Sequence, residues 1–420
     1  MNQAAPDVSV VIVTRNRRAK LLATLDALAQ LPDHHHLFLD TWVVDNASDD
    51  GSADAAADHP LRPRVIRLEQ NEGVSARNHA FARAVGRNIA LLDDDSTPDP
   101  GALARAARRL DAEPDLAAVT GPVRLTAGGL DSCGLPTVPI LCGVVLKASA
   151  LRIARGLHTG FVRQAEEYPL ALRLFDAGLR IDRDDRVGFR HHKTPGPFDP
   201  ERLRLDRIHN LAWLTAMCPP HIAQPYAQDT RLRYRLLAKH AGADPDAPEA
   251  PDPHDEANAV ARAAQGLQPV AEHAVEALFE TQRIAKLVAN WAAHNHVQRP
   301  ALLGYGKNLY AAWSACHAIG ATPAAIYDDR PAFTGSTYRG APVLPIQELT
   351  RAQADGVVVS ETAPARVEAV VAQGLALAGD RPLLGLSRGD PLHPPSAERD
   401  SSRRATPPLP AEPDDLSRAA

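Results

Sequence analysis

The sequence predicts an α/β protein with a doubly wound mixed sheet, followed by a smaller α/β unit. Short apolar and β-branched runs at residues 8–13, 41–44, 65–68 and 89–92 alternate with helical stripes of leucine and alanine. These runs end in polar loops, as the buried strands of parallel sheets do. A second alternating series opens at residue 301, and such alternation is typical of doubly wound sheets.

Composition and charge narrow the class of protein. The 420 residues suffice for two or three domains, and the net charge of −5 without a basic stripe argues against a nucleic-acid partner. The four cysteines lack Cys-x-x-Cys spacing, which favours reduced thiols in a cytoplasmic protein. No signal-peptide pattern or apolar run of about 20 residues is present. We therefore expect no transmembrane segment, and any membrane attachment would be peripheral, at the inner face.

Proline and acidic residues help to set the domain boundaries. A first domain is expected over residues 1–240. Residues 241–298 begin with the stretch DPDAPEAPDPHD, which has no periodicity and predicts a linker, and they continue as a helical segment. The second α/β unit is expected over residues 299–386. Residues 387–420 are rich in Pro, Ser, Arg and Asp, poor in large apolar residues, and predicted to be disordered.

Three consecutive carboxylates, Asp93, Asp94 and Asp95, directly follow the apolar run at residues 89–92. Adjacent carboxylates repel one another, and a hard cation such as Mg²⁺ or Mn²⁺ would hold them together and bridge to phosphates. The alternative is a solvated acidic turn. Asp45 also lies at a predicted strand end, where ligands collect in doubly wound sheets. This agreement favours a functional site.

Four segments of the sequence resemble the family 2 glycosyltransferases, and they occur in the order VSVVIVTRNR, VVDNASDDGS, NEGVSARNHA and LLDDDSTP. The resemblance covers roughly the first half of the chain. It implies an inverting enzyme of the GT-A fold that uses a nucleotide-sugar donor. The acceptor would be a hydroxyl on a glycan, a lipid-linked sugar or a small molecule, as in the synthesis of cell-envelope polysaccharides.

The resemblance also assigns residues to the site. It implies a donor site formed by Thr14, Asn16, Asp45, Arg77, Asp93 and Asp94, in which Asp45 bonds the base. It places Asp93, Asp95 and His191 around a divalent metal, Mn²⁺ or Mg²⁺. Glu167 falls where the family has its general base, next to Glu166. The chain departs from the family pattern at Pro169, where the family commonly has an aspartate.

Other functions remain open at this point. A sugar nucleotidyltransferase also uses acids at a strand end, but it carries a glycine-rich loop after its first strand, and residues 14–18 contain no glycine. A degenerate, non-catalytic transferase that serves as a scaffold, its C-terminal domain binding a nucleotide or a partner, is a third reading, supported mainly by Pro169. A processive polysaccharide synthase is disfavoured, because the sequence has no QxxRW segment and no membrane span.

The second unit opens with the glycine turn GYG and continues with IYDDRP and GAPVLP. It resembles the Rossmann-like domains found beside sugar-modifying and methyl-transferring enzymes. A dinucleotide fingerprint needs a third glycine three residues after Gly306, and Leu309 stands there. The missing glycine favours an α/β module that binds no nucleotide.

Overall fold

The structure is a computed structural model that describes residues 7–31, 37, 39–193, 199–242 and 253–387. Residues 244–252 of the proline-rich stretch, and the predicted disordered tail beyond Ser387, lie outside the described residues. All four cysteines are free thiols, as the sequence predicts. Among the helices in the described ranges, none is both long enough and apolar enough to cross a membrane.

Two sheets form the first part of the chain. Their strands are β1 (Val8–Thr14), β2 (Leu39–Asp45), β3 (Arg64–Arg67), β4 (Asn88–Asp93), β5 (Ser96–Pro98), β6 (Leu116–Thr120), β7 (Val123–Leu125), β8 (Leu130–Asp131), β9 (Val144–Lys147), β10 (Arg180–Arg183) and β11 (Phe189–His191). The larger sheet has the order β10-β6-β9-β4-β1-β2-β3, and β9 runs antiparallel to both of its neighbours. The smaller sheet has the order β5-β11-β7-β8. The predicted mixed α/β architecture is confirmed.

Helices cover both faces of the larger sheet. They are α1 (Arg18–Ala29), α2 (Ser52–Ala57), α3 (Asn78–Phe81), α4 (Ala102–Ala112), α5 (Ala148–Ile153) and α6 (Glu167–Asp176). Side chains alternate between the faces of a strand. Val10 and Ile12 of β1 therefore pack with α1, α2 and α4, whereas Val11 packs with α3, α5 and α6.

The helix expected to run through Val85 is shorter than predicted. A 3₁₀ helix at Gly73–Arg77 leads into α3, which ends at Phe81. Beyond it, Gly86 lies so close to β1 that a Cβ atom there would be 2.5 Å from the backbone nitrogen of Ser9. The chain leaves the helix early because it must reach this contact.

The strand register brings the predicted site residues to one edge of the larger sheet. Thr14 of β1 lies beside Asp45 of β2, and the neighbouring strand β4 ends at Asp93. In the smaller sheet His191 pairs with Ser96, which directly follows the three acids. The two sheets therefore place His191 next to the carboxyl ends of the central strands.

Five helices connect the first part of the chain to the second unit. They are α7 (Pro200–Met217), α8 (Pro220–His240), α9 (Pro253–Ala263), α10 (Glu272–Phe279) and α11 (Thr281–Asn295). Residues of α7 to α10 share one apolar core with α6. On α8, Leu232, Leu236 and Leu237 pack against the core of the second unit. The helical segment therefore packs against both the first part of the chain and the second unit.

The second unit is a six-stranded sheet with flanking helices. It consists of β12 (Pro300–Leu303), α12 (Leu309–Ala318), β13 (Ile326–Asp328), β14 (Thr337–Tyr338), β15 (Ala341–Pro345), a 3₁₀ helix (Ile346–Arg351), β16 (Gly356–Val359), α13 (Val367–Leu377) and β17 (Leu383–Gly385). Its parallel strands have the order β15-β13-β12-β16-β17. This is the strand order of the Rossmann fold through its fifth strand.

The glycine turn after β12 is packed against Glu361. A Cβ atom at Gly304 would lie 2.5 Å from the Cβ of Glu361, and one at Gly306 would lie 2.7 Å from its Oε1. At the end of β13, Asp328 accepts a hydrogen bond from the backbone N–H of Tyr305. Contacts within the protein therefore account for the glycines of this turn.

We predict that Gly304→Ala destabilises the protein by several kcal/mol, because the new methyl group meets Glu361 and the backbone φ of +101° also disfavours a side chain. Gly335→Ala is the matched control, since its φ is +80° and a Cβ atom there would meet nothing within 4 Å. The control should cost about 1 kcal/mol. Urea unfolding measures both, and equal losses would contradict the role given to Glu361.

Candidate active site

Cations from α1 and the loop before it hold the acids that follow β4. Arg17 forms ion pairs with both Asp94 and Asp95. The ammonium of Lys20 lies 2.9 Å from Asp95 Oδ2, and the hydroxyl of Thr14 donates a hydrogen bond of 2.9 Å to Asp94 Oδ2. These contacts neutralise the repulsion between adjacent carboxylates.

The pKa values of Asp94 and Asp95 are shifted in opposite directions. Burial raises the pKa of Asp94 to about 6, although Arg17 and Thr14 oppose the rise. Burial acts on Asp95 as well, but its contacts with His191 and Lys20 prevail and lower its pKa. Both oxygens of Asp94 are engaged and the residue is 2% exposed. Asp94 therefore has no oxygen left for a ligand, whereas Oδ1 of Asp95 has no hydrogen-bond partner.

Two carboxylate oxygens, from Asp93 and Asp95, lie near Nε2 of His191. Its Nε2 lies 3.2 Å from Asp95 Oδ1 and 3.8 Å from Asp93 Oδ2. Asp95 Oδ1 is buried and has no hydrogen-bond partner, because the nearby ring lies off the direction of a hydrogen bond. The other oxygen of Asp93 pairs with Arg77, and Nδ1 of His191 lies 3.0 Å from Asp131. Asp93 and Asp95 thus each have one oxygen paired with a cation and the other oxygen near His191.

These atoms fit a divalent metal ion. Carboxylate oxygens and an imidazole nitrogen are ligands that Mn²⁺ accepts. Asp93, Cys142 and His191 also each offer an atom within 4.8 Å of the others. Burial raises the pKa of Cys142 to about 12, so its thiol stays protonated and is a poor ligand. Cys142 could not be predicted as a site residue, because neither its spacing nor its sequence neighbours distinguish it.

The loops after β1 and β2 are tied to each other beside these acids. The backbone N–H of Asn16 donates to the hydroxyl of Ser48, and its side-chain oxygen accepts from the N–H of Asp49. Asp45 is buried, and one of its oxygens accepts a weak bond of 3.3 Å from the N–H of Ser48. The other oxygen, Oδ1, is buried and has no hydrogen-bond partner.

Two glutamates stand at the start of α6. The helix begins at Glu167, and the side chain of Glu166 makes no capping hydrogen bond. The Oε2 atoms of both residues are buried without a hydrogen-bond partner. Pro169 is the third residue of α6, where a helix does not need its N–H group. The departure from the family pattern at Pro169 is therefore compatible with an intact helix start.

The environments of the two glutamates differ. Burial raises the pKa of both, and Glu166 is raised further by the charge of Glu167. The charges of Arg77 and Asp93 also act on Glu166. Glu167 instead accepts a hydrogen bond from the thiol of Cys133. Glu166 is thus within range of Arg77 and Asp93, whereas Glu167 is within range of Lys307 and Asp131.

The glutamates open into a cavity of about 480 Å³, a size that suits a small ligand. The first part of the chain lines it with Asp93, Asp131, Glu166, Glu167 and His191, among others. The second unit supplies Lys307, Arg330, Glu361 and Arg366. The ammonium of Lys307 donates to the hydroxyl of Tyr168, 139 residues earlier in the chain. Sequence patterns cannot reveal such a contact, because they carry no information about distant pairs.

The first part of the chain matches a family model. Residues 9–131, from β1 to β8, match the family described as Glycosyl transferase family 2. This match confirms the resemblance drawn from the four sequence segments. The matched segment contains the three acids, Asp45 and Arg77, whereas the glutamates and His191 lie beyond it.

Two curated proteins are similar to part of the chain. The succinoglycan biosynthesis protein ExoO of Rhizobium meliloti is 36% identical over 110 residues, which cover 26% of this chain and 30% of that protein. The putative teichuronic acid biosynthesis glycosyltransferase TuaG of Bacillus subtilis is 34% identical over 99 residues, or 23% of this chain and 38% of that protein. The chain spans about a third of the length of these relatives.

Two of the solved structures that are similar to the chain are a mannosyltransferase and TarS. The mannosyltransferase PcManGT of Pyrobaculum calidifontis, solved with GDP-Man and Mn²⁺, has a TM-score of 0.43 and 18% identity, covering 76% of this chain and 88% of that one. TarS of S. aureus has a TM-score of 0.43 and 16% identity, covering 74% and 90%.

We predict that Asp206→Asn stabilises the protein at pH 7.5. Asp206 lines the cavity from α7, is 7% exposed and forms no ion pair with a described residue. Burial raises its pKa from 3.8 to about 6, so its ionised form is disfavoured in the folded state. The carboxyl favours folding below pH 4 and loses that effect as the pH rises to about 6.

The gain from Asp206→Asn should therefore reach up to about 3 kcal/mol above pH 6 and vanish near pH 4, as urea unfolding across this range would measure. Asp185→Asn is the control, because the side chain of Asp185 is 79% exposed. It should change stability by less than about 0.5 kcal/mol. A gain at position 206 that does not depend on pH would contradict the assigned cause.

Proposed function

We propose that the chain is a metal-dependent, inverting glycosyltransferase that moves a sugar from a nucleoside-diphosphate sugar to a hydroxyl acceptor. The observation that carries the proposal is the convergence of Asp93, Asp95 and His191 at a cavity that Glu166 and Glu167 also line. The family 2 match supports the same reaction class. The names of ExoO and TuaG refer to succinoglycan and teichuronic acid, so we propose a polysaccharide or its precursor as the acceptor.

Asp93, Asp95 and His191 would hold Mn²⁺ or Mg²⁺, and the bound ion supplies positive charge to the leaving diphosphate. Lys20 and Arg17 hold the second oxygen of Asp95 and so fix the direction of the first. Asp131 orients the imidazole of His191 in the same way.

The donor side would be completed by the neighbouring loops. The unpartnered Oδ1 of Asp45 is free to accept a hydrogen bond from the base, and the tied loops of Thr14 and Asn16 would enclose the nucleotide. Arg77 holds Asp93 in place beside the donor. Asp94 has no free oxygen, so we propose that it positions Arg17 instead of touching the donor.

Glu167 would act as the general base. The acceptor hydroxyl must lose a proton as it attacks the sugar on the face opposite the diphosphate, and a single displacement of this kind inverts the anomeric centre. Glu167 lines the cavity together with Lys307 of the second unit, and we propose that the acceptor binds there. Its raised pKa moves the carboxyl towards the working pH, which favours proton transfer.

We predict that Asp95→Ala abolishes metal-dependent donor binding and leaves the fold intact. The variant removes the unpartnered oxygen that faces His191. Calorimetry with UDP or GDP and Mn²⁺ measures the loss, and melting curves check the fold. Asp94→Asn is the matched control and should keep metal-dependent binding, because both of its oxygens face Thr14 and Arg17. Unchanged affinity in Asp95→Ala would refute the metal assignment.

We predict that Glu167→Gln lowers the rate of transfer by roughly 10²–10⁴-fold and leaves donor affinity nearly unchanged, because glutamine keeps the size but cannot take a proton. The assay follows release of UDP or GDP from the donor with Mn²⁺ and with EDTA. A nucleotidyltransferase would instead release pyrophosphate from a nucleoside triphosphate.

Glu166→Gln is the control for this experiment. Glu166 faces Arg77 and Asp93, so its loss should act mainly on donor binding and leave the chemical step largely intact. An active Glu167→Gln beside an inactive Glu166→Gln would move the base to the preceding position.

A further inference from the structure

Four cations at one end of the cavity have no carboxylate partner. Arg163, Arg202, Arg233 and Lys307 all line it, and none forms an ion pair with a carboxylate in the part of the chain that is described. We call these four residues the cation cluster. The other cations of the cavity are paired with carboxylates, namely Arg77, Lys193, Arg330 and Arg366.

Two members of the cation cluster, Lys307 and Arg233, carry unpaired charges that burial makes costly, whereas Arg163 is exposed. Lys307 donates 2.8 Å to the neutral hydroxyl of Tyr168, and Arg233 donates 2.6 Å to the backbone oxygen of Tyr305. Burial lowers the pKa of both, and each is lowered further by a neighbouring cation, which for Lys307 is Arg233. Buried cations without a counter-ion are unfavourable and persist where a function requires them.

Two carboxylates lie close to the cation cluster. The charges of Lys307, Arg202 and Arg163 act on Asp206, and the charge of Lys307 also acts on Glu167. Burial raises the pKa of both carboxyls. Even with both carboxylates ionised, the four cations leave an excess of positive charge.

The cation cluster lies within range of Glu167. Asp93 and Arg77 act on Glu166, whereas Lys307 acts on the next residue, Glu167. Lys307 follows the glycine turn of the second unit, so the cluster is assembled from both parts of the chain. A ligand held here would lie in the same cavity as Glu167.

We propose that the cation cluster binds an anionic group, a phosphate or a carboxylate, of the acceptor. The designation as acceptor rests on the proposed function, whereas the anion site itself rests on the cluster. The second unit would thus select acceptors by charge, and Lys307 would hold the anionic group while the acceptor hydroxyl lies near Glu167.

Calorimetry on the full chain, without nucleotide or metal, tests the anion site. Glycerol 3-phosphate and glucuronate are the probes for phosphate and carboxylate, and glycerol and glucose are their neutral controls. We expect saturable binding of at least one anion and of neither control. Lys307→Met should weaken that binding at least tenfold, and Lys307→Arg should restore most of it.

Asp206→Asn is a second variant, and it should change the affinity for the anion in the opposite direction. It removes a carboxylate from among the cations, so it should tighten binding of the anion several-fold, a gain that a purely structural effect would not produce. The proposal is overturned if the wild type binds neither anion, or if both Lys307→Met and Asp206→Asn bind as the wild type does.

A competition experiment distinguishes an acceptor site from a donor site. UDP or GDP with Mn²⁺ should bind equally well with and without the saturating anion, and equally well to Lys307→Met. Displacement of the anion by the nucleotide would assign the cation cluster to the donor diphosphate and overturn the proposal. Failure of the proposed function has a different signature: neither nucleotide would bind with Mn²⁺, while binding of the anion would persist.

Discussion

The electrostatic repulsion among residues 93–95 is the constraint on which the site depends. Cations from two elements hold these carboxylates: Arg77, in the 3₁₀ helix before α3, pairs with Asp93, and Arg17 and Lys20, at the start of α1, pair with Asp94 and Asp95. The ring of His191, from β11, lies beside Asp95. The acids can stand together only when the register of the larger sheet, the start of α1 and the smaller sheet are all in place. Folding and assembly of the site are therefore one event.

Local patterns were sufficient to predict most of the fold. The β-branched runs and the polar ends of the strands identified β1, β2 and β4, and with them the edge that carries Asp45 and Asp93. Periodicity failed for the helix expected through Val85, because the close approach of Gly86 to β1 is a tertiary contact. The strand order of the second unit also required the structure, since pairing between strands leaves no mark in a single sequence.

The candidate site was predictable only where its residues belong to recognisable segments. The three acids, Glu167 and His191 lie together as the resemblance implied, and their roles remain proposals. The partners that set their chemistry were missed: Asp131 beside His191, Cys133 beside Glu167, and Lys307. These residues have ordinary sequence neighbours, and only the packing of α7 to α10 between the two units brings the last of them to the cavity.

The division of the cavity between two units has a consequence for how such chains diversify. The residues proposed to bind the donor and the metal come from the first part of the chain, whereas Lys307 follows the glycine turn of the second unit. Recombination that exchanged the second unit for a homologous one would replace one wall of the cavity and leave the acids untouched. A lineage could in this way acquire new glycan products while its sugar-nucleotide supply stayed the same.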